Sequence, residues 1–169
     1  MRWRSKTIDL IPSPISGDVY KRQVFNMLTQ RSRYGLRAML LLAREPKGHH
    51  PVPMSRIAAE ANVPRKFLEI ILTELKAANL VVSTRGKQGG FALARPAHLI
   101  SLGDIIRVIE GPLALVPCVS RTAYKRCKDC RDEDKCEIRR AMMIVRDDTA
   151  RILDGTSLAA AVSEDKEAA

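Results

Sequence analysis

From residue 32 onward the apolar positions fall at helical spacing. Tyr34, Ala38, Leu41 and Leu42 share one face of a predicted helix over 32–44, with Arg31, Arg33 and Arg37 near its start and Pro46 closing it. A polar loop containing Gly48, His49 and His50 follows. A second helix begins at 53–55 and runs through Ile57, Ala58 and Ala61. Asn62 tolerates the left-handed conformation that a tight turn between helices requires. Pro64 suits the first turn of a third helix, where its missing N–H costs nothing. That helix reaches about residue 78 and buries Leu68, Ile71, Leu72 and Leu75. Two helices joined by so short a turn predict a helix-turn-helix.

The period then changes. Residues 80–84 and 90–94 read as two short strands, the second carrying Phe91 and Leu93, with Arg85, Gly86, Lys87, Gln88 and Gly89 as an exposed hairpin tip. A cationic hairpin directly behind the third helix predicts a winged helix-turn-helix. Ser101 caps a fourth helix over 102–110, with Asp104 in its first turn where the helix dipole favours an anion. After a long loop the helical period returns over 137–154. There Ile138, Met142, Val145, Thr149 and Ile152 are spaced four, three, four and three, which predicts a coiled-coil seam; Met142 and Met143 read as core or seam packing. Gly155 ends that helix, Thr156 or Ser157 caps a last one through 162, and 163–169 is a polar tail expected to fray. The fold class is therefore mainly α: a winged helix-turn-helix with a small β-hairpin, a cysteine-rich loop and a long dimerisation helix.

The first 26 residues do not share this patterning. Pro12 and Pro14 interrupt them, no period emerges, and Asp18–Gln23 is similar to a translated transposon adapter. They are expected to be a non-native leader and are set apart from fold reasoning. The resulting division is 1–26 leader, 27–100 DNA-binding domain, 101–136 linking helix and cysteine loop, and 137–169 dimerisation helix and tail.

Charge sharpens the picture. Residues 27–100 hold 12 Lys and Arg against 4 Asp and Glu, whereas residues 101–169 hold 12 against 13. One half is thus built to meet a polyanion and the other to meet protein. No apolar run approaches the roughly 20 residues of a membrane span, and no secretory signal opens the chain. A cytoplasmic, membrane-independent protein is expected.

Enzyme chemistry lacks its residues. Asp147 and Asp148 are adjacent and point to different helix directions, so they cannot work as a pair. Asp129, Asp132, Glu133 and Asp134 lie in a charged loop, and no Gly-rich phosphate loop follows a strand. His49, His50 and His98 are not spaced to the cysteines and read as ordinary polar positions.

Those cysteines are the candidate chemistry. Cys118, Cys127, Cys130 and Cys136 are the chain's four cysteines and lie within nineteen residues as C-x8-C-x2-C-x5-C. Such clustering in a reducing compartment argues against structural disulfides. Three readings stay open: an iron–sulfur cluster, which takes four thiolates at irregular spacings; structural zinc, which usually takes two C-x2-C knuckles where this chain has one; and a thiol switch, with Lys125, Arg126, Lys128 and Arg131 lowering nearby thiol pKa values.

Several stretches together resemble a known family. Leu28–Thr29, Tyr34–Leu36, Phe67–Leu68–Glu69, Leu75, Leu80–Val81, Arg85–Gly86, Gly89–Gly90 and Glu110–Gly111–Pro112–Leu113 are similar to the winged-helix regulators that include IscR, NsrR and RirA. The resemblance covers about 130 residues and implies a homodimeric transcription regulator, commonly carrying an iron–sulfur cluster held by three cysteines and a variable fourth ligand. Cys118, Cys130 and Cys136 match the three. Arg139 and Tyr34 stand where family members place a histidine or an aspartate as the fourth, which leaves Cys127 as the local candidate. The cluster type, 2Fe–2S or 4Fe–4S, stays open, with zinc as the alternative.

For DNA, Arg65, Lys66 and Glu69 lie on the exposed side of the third helix. The two cations are suited to guanine or phosphate and the carboxylate to cytosine; the resemblance also places Lys66 and Glu69 at bases. It places Arg85 and Gly86 at a wing tip entering the minor groove. Lys87 and Arg31 read as phosphate contacts. A seam across a two-fold axis implies a near-palindromic operator. The function so read is a DNA-binding regulator, a repressor first, controlled by a cluster or by redox-sensitive cysteines. The alternatives are a zinc-bearing or thiol-switch regulator, or a small iron–sulfur electron-transfer protein.

Overall fold

The computed structural model describes residues 28–45, 51–86 and 88–167. The leader assigned to 1–26, the loop histidines His49 and His50, and Lys87 of the hairpin tip lie outside the described residues.

Helix α1 spans Gln30–Arg44, two residues earlier than the apolar period indicates, because the Thr29 side chain accepts from the Ser32 N–H and caps it. Helices α2 (Met54–Glu60) and α3 (Arg65–Ala77) end in the same way. Asn62 (φ 51°) and Asn79 (φ 55°) take the left-handed conformation. After α2, Val63 N–H donates to Ala58 O and Asn62 N–H to Ala59 O; after α3, Leu80 N–H donates to Leu75 O and Asn79 N–H to Lys76 O. Each pair of bonds satisfies carbonyls that the helix end leaves free. The first fixes the turn of the helix-turn-helix, and the second turns the chain into the wing. Pro64 is the N-cap of α3, one position before the expected first turn.

Strands β1 (Val81–Thr84) and β2 (Gly90–Leu93) pair antiparallel, with Val81 opposite Leu93 and Thr84 opposite Gly90. Val52, just before α2, bridges to Phe91 and ties the hairpin to the helices. That approach requires Gly90: a Cβ there would lie 2.3 Å from Val52 O.

Helix α4 (Leu102–Glu110) carries the expected cap as a complete capping box, Ser101 and Asp104 each accepting the other's backbone N–H. Its apolar face closes one core with α1, α3 and the wing, centred on Met39, Leu42, Leu68, Ile71, Leu72, Leu75, Ile105 and Leu158. Close packing of α1 on α4 leaves no room for a Cβ at Gly35, which would meet Ile109 Cδ1 at 2.2 Å. Helix α5 (Glu137–Gly155) lies outside this core and has no buried residue. Helix α6 begins at Leu158 with Ser157 accepting the Ala160 N–H, and reaches Glu167, past the expected end at 162. Short 3-10 turns at Ala97–Leu99 and Pro117–Val119 were not expected from the apolar period.

Candidate nucleic-acid interface and cysteine cleft

Arg65, Lys66 and Glu69 are all exposed on α3, opposite the buried Leu68–Ile71–Leu72–Leu75 stripe. Arg65 and Glu69 face each other one turn apart, at 3.7 Å. Arg31 of α1 forms an ion pair with Glu74 on α3, so its guanidinium supports the helix as well as facing solvent. At the wing, Arg85 and Gly86 (φ 110°) are exposed, and Gly89 N–H donates to Gly86 O at 2.9 Å to close the tip. Lys76 Nζ donates to Ser83 Oγ at 2.6 Å and ties the wing to the end of α3. The sequence analysis did not anticipate the exposure of two large apolar side chains on α3, Phe67 and Ile70, which are 52% and 55% exposed. Phe67 rests against Tyr34, with ring centroids 5.9 Å apart. The signal was available: both residues fall outside the buried stripe.

The start of α1 is tied to the end of α4, where the cysteine loop begins, by Glu110, the last residue of α4. Its Oε1 accepts from Thr29 N–H (2.9 Å) and from the Oγ of fully buried Ser32 (2.5 Å). Burial alone would push the Glu110 carboxyl up; the hydrogen bonds from Ser32 and Thr29, aided by Arg31, outweigh it and hold the carboxyl below the usual range.

Beyond Gly111 (φ 89°) the loop brings all four cysteines to one cleft of about 390 Å³. Cys118 is buried; the other three are partly exposed. Cys130 N–H donates to Cys127 O, making the C-x2-C stretch a turn. Tyr124 OH donates to Glu133 Oε1 at 2.6 Å and braces the loop across Cys127 and Cys130; that bond raises the Tyr124 pKa. Cys136 is the N-cap of α5, its sulfur accepting the Arg139 N–H at 3.4 Å.

One electrostatic expectation is corrected. The basic side chains were expected to lower the thiol pKa values, yet the Cys127 thiol is raised, chiefly by its hydrogen bond with Cys118 and then by burial. The geometry explains the difference at Arg126: its guanidinium donates to the carbonyls of Cys130 and Arg131 instead of facing a sulfur.

Two arginines of α5 grip the opposite end of the loop. Arg146 Nη1 donates to Val119 O at 2.6 Å, and Arg139 Nε donates to Cys118 O at 3.5 Å. Asp147 accepts from both Arg146 and Arg121 (2.9 Å each), and the Arg146 bond first of all holds its carboxyl below the usual range. Near the other end of α5, Arg107 of α4 makes a bidentate pair with Asp154 (2.6 and 2.8 Å), lowering the Asp154 pKa. Gly103 makes room for that pair, since a Cβ would lie 2.1 Å from Asp154 Oδ1. The other face of α5 is bare. Ile138, Val145 and Ile152 of the predicted seam are exposed, as is Ile144 beside them, while Met142 and Thr149 are partly covered.

Four sulfur donors lining one cleft are the right chemistry for a thiolate-held centre. Among the described residues, however, no three His, Cys, Asp or Glu side chains are drawn close enough together to hold a metal ion. No helix of the described residues is long and apolar enough to cross a membrane.

A helix-turn-helix, a basic wing and an appended helix with a bare apolar face define a class of DNA-binding transcription regulators. Residues 28–164 match the Rrf2 family model, described as an iron-dependent transcriptional regulator, and the chain belongs to that family. An rrf2-like HTH-type transcriptional regulator of Rhodobacter capsulatus is 41% identical over 116 residues, 68% of this chain and 77% of that one. Among solved structures, IscR of T. potens superposes with a TM-score of 0.67 at 30% identity, over 86% of this chain and 92% of that one. CymR, titled the global cysteine regulator of B. subtilis, gives 0.64 at 33% identity over 81% and 96%. The relatives are transcriptional regulators and not enzymes.

Proposed function

We propose that the chain is a cytoplasmic homodimeric repressor that binds near-palindromic double-stranded DNA under control of Cys118, Cys127, Cys130 and Cys136. The observation that carries this reading is the single cleft lined by all four thiols, with its last cysteine capping α5, its first held to α5 through Arg139, and the adjoining Val119 held through Arg146. In this reading Arg65, Lys66 and Glu69 enter the major groove, while Arg85 and Gly86, with Lys87, form the wing contact. The bare face of α5 pairs two copies across a two-fold axis, so the bonding state of the loop sets the angle between their DNA-binding halves.

Cys118, Cys130 and Cys136 would hold an iron–sulfur cluster, with Cys127 as the fourth ligand and zinc as the alternative occupant of the same thiols. A bound cluster supplies iron–thiolate links that oxidants or iron loss can break. The family description, iron-dependent, accords with iron. A second reading, a thiol switch without metal, is supported by the four free cysteines sharing one cleft.

Purification without oxygen, with iron, sulfide and zinc assays, separates these readings. The cluster predicts iron and sulfide in comparable amounts, lost in Cys118→Ser, Cys130→Ser and Cys136→Ser. In Cys127→Ser, loss of the cluster supports four-cysteine ligation, while retention removes Cys127 from the ligand set. Full zinc without sulfide overturns the cluster, and metal-free protein with reversible disulfides establishes the thiol switch. A chain that selects no duplex from a random pool overturns the DNA-binding reading itself.

A further inference from the structure

The exposed side of α3 is not uniformly polar. Lys66, Ile70, Thr73 and Ala77, at i, i+4, i+7 and i+11, form a line along the middle of the surface opposite the buried stripe. Arg65 and Glu69 lie along one side of that line and pair with each other, and the exposed Phe67 lies along the other. Thr73 Oγ1 turns back to donate to Glu69 O at 2.7 Å, which leaves its methyl group as the outward contact. Ile70 is 55% exposed and belongs neither to the core nor to the apolar side chains packed on it. An apolar strip with a charged pair along one side therefore faces outward where base edges would lie.

We propose that Ile70 is a specificity-determining residue that reads a thymine through its C5-methyl group in the major groove. The inference rests on the DNA-binding reading above and adds a base contact to it. The major-groove edge of an A·T pair offers one apolar group, that methyl, and an aliphatic side chain is its natural partner. Lys66, one turn before Ile70 on the same line, can donate to a guanine edge or a phosphate beside that thymine. The remaining methyl on Thr73 extends the apolar surface along the groove. An interface with another protein is the competing use of such a spot, but the basic balance of residues 27–100 favours a polyanion.

The test uses the full chain. Duplexes are selected from a random pool, and each thymine of the consensus is then replaced by deoxyuridine, which removes the methyl group alone. One thymine per half-site should lose about four-fold in affinity on that replacement, the worth of one buried methyl. Ile70→Ala should bind the thymine and deoxyuridine duplexes equally, while keeping the melting temperature, since alanine at an exposed helix position is well tolerated. Neutral deoxyuridine at every position, or an undiminished thymine preference in Ile70→Ala, overturns the proposal and leaves the DNA-binding reading standing. A changed oligomeric state in Ile70→Ala with unaltered thymine preference also overturns it, and assigns Ile70 to a contact between copies. Selection of no duplex at all sinks the DNA-binding reading, and this inference with it.

Discussion

Ser32→Ala tests the link between the start of α1 and the end of α4, where the cysteine loop begins. The variant removes the hydroxyl that donates to Glu110 Oε1 at 2.5 Å, and leaves the Thr29 N–H as the second donor. A hydrogen bond to a charged acceptor contributes about 1.5–3 kcal/mol, and the exposure of Glu110 puts this one at the low end. Alanine returns about 0.5 kcal/mol through its helix propensity. The net loss should be about 1 kcal/mol, or about 3 °C in Tm for a chain of this size. Because the folded Glu110 carboxyl is held below its unfolded value, the stabilisation is fully present above the unfolded carboxylate range and is lost as pH falls through the folded value. Urea unfolding of wild type, Ser32→Ala, Glu110→Gln and the double variant, from pH 7 to about pH 3.5, should therefore give a coupling energy that is largest at neutral pH and shrinks on acidification. A coupling near zero at pH 7, or one that stays constant down the series, would refute the charge-assisted bond as the link.

Four further variants have definite expected outcomes. Gly90→Ala sets a Cβ against the Val52 carbonyl, backbone that cannot move aside, so the wing should lose stability at the upper end of the about 1–3 kcal/mol typical of overpacking; an unchanged denaturation midpoint would contradict this. Arg85→Glu should abolish specific DNA binding without altering the melting curve, and Glu69→Ala should relax preference at one base per half-site by about 1–3 kcal/mol, both read in competition binding. Arg146→Ala frees the Val119 carbonyl, and alkylation of the neighbouring, buried Cys118 should speed up several-fold in the metal-free protein; an unchanged rate would mean that the loop is held by other contacts.

The helices were legible because burial imposes a period: Leu68, Ile71, Leu72 and Leu75 could line one face only if 65–77 were helical. Asn62 was readable for a local reason, since few side chains accept its turn; Asn79 makes the same turn and was passed over. What escaped was non-local. The start of α1 depends on Thr29 and, through Ser32, on Glu110, 78 residues further along the chain. The Arg107–Asp154 pair and the grip of Arg146 on Val119 depend on how α5 lies against the rest, which no spacing encodes. Ile70 is a local case instead: it falls outside the Leu68–Ile71–Leu72–Leu75 stripe, which marks it as exposed, but nothing in that spacing says what it would touch.

Cys136 belongs to two structures at once: it lines the cleft, and its sulfur terminates the hydrogen-bond ladder of α5. Joining the loop to the helix through a flexible linker of four residues would let the two ends wander by about 11 Å, enough to dissipate any strain between them. Here the linker length is zero. A bond made or broken at that sulfur changes the number of acceptors open to the first turn of α5, and Ile138 begins the bare apolar face two residues on. Under the proposed control by the cysteines, a change at that sulfur would meet the first turn of α5 directly, with no linker between them.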